Sequence, residues 1–220
     1  MDRGVSTARI LFVGNSFTLR NDLPSLWSGL AAADGEGTHI ESQVVAVGGA
    51  TLRQHLNKGE ATALLNEEPW DFVVLQEQST LPIKNPQRTG ENILDFHALV
   101  SRTEARTVLY MTWARLNAPE TQATLASTYD DIGTELGVTV VPAGLAWQRA
   151  LAADPVPVLH DADNSHPTLA GSYLAACCFQ WTLFGAPVGE PAATQGILQA
   201  EREALHTAAR DVCRERAAVG

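Results

Sequence analysis

Short apolar runs alternate with helix-period segments along most of the chain. Ile10-Leu-Phe-Val13 is the first run, and it stops at Gly14-Asn15-Ser16. Leu23, Leu26, Trp27, Leu30 and Ala31 then recur at helical spacing, which predicts an amphipathic helix with Asp22 placed to cap it. A second strand is expected over Ser42 to Val47, ending in Gly48-Gly49. Phe72-Val-Val-Leu75 is continuous and apolar, as a strand buried on both faces requires. Ile93 to Ser101 reads as a helix and Thr107 to Met111 as a strand. Leu125, Tyr129, Ile132 and Leu136 mark another helix, with Gly137 as its stop, before a fifth strand over Val138 to Val141. Pro82 and Pro86 give Ser79 to Thr89 an irregular path, and Pro155 and Pro157 open a second irregular stretch. Pro167 suits the first position of a following helix. A last helix carries Ile197, Ala204, Leu205, Ala208 and Val212.

Five strands alternating with helices mean an α/β fold: a five-stranded parallel sheet with helices on both faces. The length, 220 residues, is that of a single domain able to bury a full core. Hydrophobic residues at 45% and charged residues at 18% exclude a disordered chain. The net charge is −10, from 15 basic and 25 acidic residues. That argues against nucleic acid or an anionic membrane as partner, because both need a basic footprint. Cys177, Cys178 and Cys213 make no disulfide framework and are expected to be buried, reduced thiols. The most apolar stretch, Leu169 to Phe184, contains Ser172, Gln180 and Thr182 and is too polar to span a membrane. Met1 to Thr7 is polar and unlike a signal peptide, so a cytoplasmic location is expected.

In a parallel sheet of this kind the ligand lies outside the carboxyl ends of the strands. The residues there are Gly14-Asn15-Ser16, Gly48-Gly49-Ala50-Thr51, Gln76-Glu77-Gln78-Ser79 and Thr112-Trp113-Ala114-Arg115. The late loop adds His160-Asp-Ala-Asp163-Asn-Ser-His166. Ser16 is a candidate nucleophile, although a turn or N-cap serine would look the same. His166 is a candidate base, and Asp163, three residues earlier, could fix its tautomer; a polar loop with an Asx turn is the plainer alternative. Gly49, Gln76 and Gln78 could donate to an oxyanion, and Gly48-Gly49 equally suits a simple turn. Trp113 and Arg115 could line a pocket as an aromatic platform for a sugar face and a cation for a carboxylate; a packed indole with a surface arginine is the plainer alternative. His160, Asp161, Asp163 and His166 are also possible metal ligands, but their spacing fits no established zinc pattern.

Together these residues resemble the SGNH hydrolase superfamily, the GDSL-like esterases and lipases, over nearly the whole chain. Gly14-Asn15-Ser16 resembles the first block, so Ser16 inherits the nucleophile's role. Gly49-Ala50-Thr51 resembles the second, whose glycine N–H is an oxyanion donor, and Asp163-Asn-Ser-His166 resembles the last, which completes a triad. Gln76-Glu77-Gln78-Ser79 lies where the third block has glycine, any residue, asparagine and aspartate. Asn15 in place of aspartate and Gln78 in place of asparagine mark a less characterised branch. The resemblance implies a flavodoxin-like three-layer α/β/α sandwich, residues 1–220 forming one domain. It also implies cleavage of a small-molecule carboxylic ester through Ser16, His166 and Asp163, with Ser16, Gly49 and Gln78 around the oxyanion; O-acetyl or other short acyl groups on a sugar or another small polar molecule are the expected substrates. No cofactor and no metal are expected. A metal-dependent phosphoesterase using the 160–166 loop, and an inactive binding module of the same fold, are the alternatives. The sequence leaves the oligomeric state open.

Overall fold

The first strand, β1 (Thr7–Gly14), shows how the layers form. Ile10 and Phe12 point into one apolar core and Leu11 and Val13 into another, because successive side chains leave a strand on opposite faces. The same alternation holds in β3 (Phe72–Leu75), where every residue is buried. The computed structural model describes residues 7–32, 38–185, 194 and 196–218.

Five strands pair in parallel in the order β2 (His39–Ala46), β1, β3, β4 (Arg106–Tyr110), β5 (Thr139–Val141). Helices α2 (Leu23–Ala32), α8 (Ala143–Leu151), α9 (Leu169–Phe184) and α10 (Gln199–Ala217) cover one face. The other face is covered by α3 (Leu52–Lys58), α4 (Glu60–Glu67), α6 (Pro86–Val100) and α7 (Gln122–Leu136). The result is the three-layer α/β/α sandwich, with the 2-1-3-4-5 order of flavodoxin-like sheets. Helix α9 is buried from Ala170 through Gln180, because α2, α8 and α10 pack around it. Such a helix is apolar all round. Cys177 and Cys178 lie fully buried on it and Cys213 on α10, all as free thiols. No helix among the described residues is long and apolar enough to cross a membrane.

The structure corrects several local expectations. Four elements join those read from periodicity: α1 (Ser16–Leu19), α3, α4 and α5 (Leu81–Lys84). Helix α8 follows β5 as well. These helices are short, or follow one another too closely, for an apolar period to register. The stretch from Ser79 to Thr89 is therefore largely helical: its prolines stand at the starts of α5 and α6, where a missing N–H costs nothing. Asn85 caps α6 by accepting from the Arg88 N–H at 2.9 Å, which moves that helix start upstream of Ile93. Pro167 does not open α9. It forms an isolated antiparallel bridge with His160, and Thr168 caps the helix by accepting from the Gly171 N–H at 3.2 Å.

Candidate active site

Strands β1 and β3 are neighbours, yet the chain leaves β1 toward β2 and β3 toward β4. Their carboxyl ends are thus the topological switch point where α/β sheets open a crevice. Asn15-Ser16 follows one strand and Gln76-Glu77-Gln78 the other.

Asn15 is the N-cap of α1, its Oδ1 accepting from the Phe17 N–H at 3.0 Å. The cap role therefore falls to Asn15, and the Ser16 hydroxyl is left for another partner. Asn15 Nδ2 also donates to the Ala50 carbonyl at 3.3 Å, a bond that aspartate could not make. Its backbone N–H donates to Gln76 Oε1 at 2.8 Å. Gly14 has to be small: a Cβ there would lie 2.6 Å from Thr18 Oγ1 and 2.7 Å from Gln76 Oε1.

Ser16 Oγ lies 2.8 Å from His166 Nε2. His166 Nδ1 is hydrogen-bonded to Asp163 Oδ2. Since a carboxylate accepts, Nδ1 carries the proton and Nε2 presents its lone pair to the serine hydroxyl. The other oxygen of Asp163 accepts from the backbone N–H groups of Ser165 and His166, both at 2.9 Å. The Asx turn and the carboxylate–imidazole contact are thus two uses of one side chain. The hydrogen bond from the His166 ring, and then that from its backbone, hold the Asp163 carboxyl below its ordinary range.

The loop carrying His166 is tied on two sides. Trp113 Nε1 donates to the Ser165 carbonyl at 3.0 Å, and the Leu116 N–H to the Asn164 carbonyl at 2.9 Å. From the serine side, Asn21 Nδ2 donates to the Pro167 carbonyl at 3.2 Å, and Arg20 pairs with Asp161 at 3.4 Å. Residues 150 positions apart are brought into register by these cross-links.

The Ser16 N–H and the Gly49 N–H meet no acceptor among the described residues. Gly49 adopts φ +70°, the left-handed region that favours glycine, in a turn closed by the Ala50 N–H on the Val47 carbonyl at 3.0 Å. The two glutamines differ in what remains free. Gln76 is buried and both ends of its amide are engaged: Oε1 accepts from Asn15 and Thr18, and Nε2 donates to the Glu77 carbonyl. Gln78 Oε1 accepts from the Thr80 N–H, the Thr80 hydroxyl and the Leu81 N–H, at 2.9, 3.0 and 3.0 Å. Only its Nε2 is left as a donor.

Trp113 is not an open platform. It is 3% exposed, Trp147 stacks on it at 3.8 Å between ring centroids, and Phe17 packs at 5.0 Å. No ring face remains for a sugar, so the indole serves as a wall and as the brace on Ser165. Arg115 is exposed and lines a cleft of about 210 Å³ with Phe17, Ile83, Lys84, Trp113 and Ser165. Phe17 and Ser165 are the chain neighbours of Ser16 and His166, and the Phe17 and His166 rings lie 5.5 Å apart. A larger cleft, about 720 Å³, runs between α6 and α7 and includes none of these residues.

The possible metal ligands of the late loop are engaged separately. His160 Nε2 donates to the Ala114 carbonyl at 3.0 Å, Asp161 pairs with Arg20, and Asp163 holds His166. Among the described residues no three His, Cys, Asp or Glu side chains converge as a metal site.

Glu77 is the residue that sequence reasoning passed over. It is completely buried, and burial pushes its carboxyl up, partly offset by three hydrogen bonds. Oε1 accepts from the Leu52 N–H at 3.1 Å and from the Gln78 N–H at 2.6 Å; Oε2 accepts from Asn92 Nδ2 at 2.8 Å. One carboxylate thus joins the segment after Gly49, the strand end before Gln78, and α6. The visible signal was a carboxylate inside a strand end otherwise ready for burial. Glu77→Gln keeps the acceptor at Oε1 but sets an amide NH₂ against that of Asn92. It is expected to lower unfolding stability by about 1–3 kcal/mol. Adding Asn92→Asp reverses donor and acceptor and should recover most of the loss, as read from denaturant midpoints.

No family model and no curated protein matches the chain. Solved structures do. A presumed SGNH hydrolase from Slackia heliotrinireducens aligns with a TM-score of 0.68 at 29% identity, covering 79% of this chain and 97% of the other. A DUF4886 family protein from Bacteroides uniformis aligns at 0.77 and 20% identity, over 94% and 95%. The psychrotrophic esterase EstA from Pseudoalteromonas sp., solved in a form inhibited by monoethylphosphonate, aligns at 0.56 and 14%, over 78% and 93%. Sheet order, the crevice at the switch point and these likenesses define the three-layer α/β/α sandwich of SGNH hydrolase-like proteins. The chain belongs to the SGNH hydrolase superfamily.

Proposed function

We propose that this protein is a serine hydrolase that cleaves carboxylic esters carrying short acyl groups on small polar molecules. The observation that carries the reading is the continuous line from Ser16 Oγ to His166 Nε2 and from His166 Nδ1 to Asp163. Ser16 attacks the ester carbonyl while His166 accepts its proton at Nε2. Asp163 keeps the proton on Nδ1 and stabilises the imidazolium. The oxyanion is met by the unpartnered N–H groups of Ser16 and Gly49 and by Gln78 Nε2. His166 then returns the proton to the leaving alcohol, and a water activated in the same way releases the acid from Ser16. The cleft of about 210 Å³ beside Phe17 supports a short acyl group, being smaller than the pockets that hold drug-sized ligands.

A phosphonate inhibits the Pseudoalteromonas esterase, and the same reagent class probes this reading directly. A fluorophosphonate is expected to add once, on the peptide containing Ser16, and to stop hydrolysis of 4-nitrophenyl acetate. Prior treatment with a chelator is expected to leave that hydrolysis unchanged. Labelling on a different peptide, or turnover lost on chelation, would count against it and favour the phosphoesterase alternative.

A further inference from the structure

Two cations beside the candidate site stand out against the acidic balance of the chain. The net charge is −10, and most described arginines are ion-paired with carboxylates or lie over aromatic rings. The chain contains only two lysines, Lys58 and Lys84. Each lines a cleft at the carboxyl edge of the sheet: Lys58 beside Gly48 and Gly49, Lys84 beside Phe17, Trp113 and Arg115. Neither Lys84 nor Arg115 has an acidic partner among the described residues. Two cations with no acidic partner among the described residues therefore line one cleft of about 210 Å³.

The rest of that cleft is divided. Phe17, Ile83, Trp113 and Ala118 form apolar wall, and Ser79, Thr80, Thr121 and Ser165 supply polar edges. The one carboxylate of the hydrogen-bonded line, Asp163, is already engaged by His166 and by two backbone N–H groups. An apolar wall with a guanidinium and an ammonium beside it matches a short hydrocarbon arm ending in a carboxylate.

We infer that Lys84 and Arg115 form an anion subsite, and that the substrates are small esters bearing a carboxylate a few bonds from the scissile carbonyl. The inference rests on the serine-hydrolase reading for its reaction, but not for its binding. The carboxylate could reside on the acid or on the alcohol half of the ester. Monoethyl glutarate against ethyl valerate probes the first case, since a carboxylate there replaces a methyl group. 4-Acetoxybutyrate against butyl acetate probes the second.

In one of the two pairs, kcat/KM for the carboxylated ester is expected to exceed that of its neutral counterpart by about tenfold or more. Arg115→Gln and Lys84→Gln should each reduce that ratio several-fold, mainly through KM, and the double variant should abolish it. The neutral esters should lose far less than the carboxylated ones, so that the ratio reports the charge, and the preference should shrink with rising salt. Arg102→Gln, at the opposite end of the sheet, removes the same charge and should leave the ratio intact. A ratio near one in both pairs, or a preference that survives in the double variant, would overturn the subsite. Calorimetric titration of the Ser16→Ala protein with all four compounds reads binding without turnover. Tighter binding of a carboxylated ester, lost in a Ser16→Ala protein also carrying both glutamines, would uphold the subsite even if hydrolysis proved to need another nucleophile. Equal binding throughout would reject it.

Discussion

Ser16→Ala is expected to lower kcat for 4-nitrophenyl acetate by roughly 10⁴- to 10⁶-fold, with KM little changed. The serine hydroxyl makes its one side-chain hydrogen bond to His166 Nε2. The local fold does not rest on it, because Asn15 caps α1 and its amide holds the Ala50 carbonyl. The thermal midpoint should therefore stay within a few degrees of wild type, so that lost turnover reports chemistry. The residual rate expected over the uncatalysed reaction comes from the oxyanion donors and substrate binding, which alanine leaves in place. A properly folded alanine variant with wild-type turnover would transfer the nucleophile's role elsewhere.

Asp163→Asn is expected to cost about 10⁴-fold in kcat for a different reason. The asparagine Oδ1 can still accept from the Ser165 and His166 N–H groups, so the loop keeps its turn. Its Nδ2, however, meets His166 Nδ1 as a donor and requires a lone pair there. The ring proton then moves to Nε2, which donates to Ser16 Oγ and can no longer accept its proton. The crystal structure of the variant should show the loop unmoved, and the rate should fall almost as far as in Ser16→Ala. A loss of less than tenfold would mean that Asp163 serves the turn alone. In the wild type, the hydrogen bonds from His166 hold the Asp163 carboxyl below its ordinary range. Its charged form is thus favoured above its ordinary range and lost only as pH falls below it. Activity should then show no loss through the Asp163 carboxyl until the pH falls below the ordinary carboxylate range, as a pH–rate profile would read.

The two variants separate two jobs that one sequence block performs. Asp163-Asn-Ser-His166 is legible in a sequence because spacing and residue type are both local. Its meeting with Ser16 is not local: it depends on Asn21 reaching the Pro167 carbonyl and Trp113 reaching the Ser165 carbonyl. The same distinction explains where reading along the chain erred. Trp113 follows a strand at the sheet edge, which suggests an exposed ring; Trp147, on α8 and far along the chain, covers it. Gln76 and Gln78 are equivalent as residue types, yet Asn15 and Thr18 occupy the oxygen of Gln76 and its nitrogen turns to the Glu77 carbonyl, while Thr80 and Leu81 hold only the oxygen of Gln78. Glu77 looked like a polar strand end and is a buried junction because α3 and α6 bring it donors.

The sequence by itself determined the strands and long helices, the parallel sheet, and the candidates Ser16, Gly49, Asp163 and His166. Apolar periodicity and short blocks are properties of neighbouring residues, and they register directly in the order of side chains. Only the tertiary structure decided which hydroxyl is free, which amide is available, which indole is covered and which cations lack a partner. Those outcomes depend on hydrogen bonds and burial between segments up to 150 residues apart. A hydrogen bond needs its partner within about 3 Å, and that condition is met by folding and not by sequence proximity.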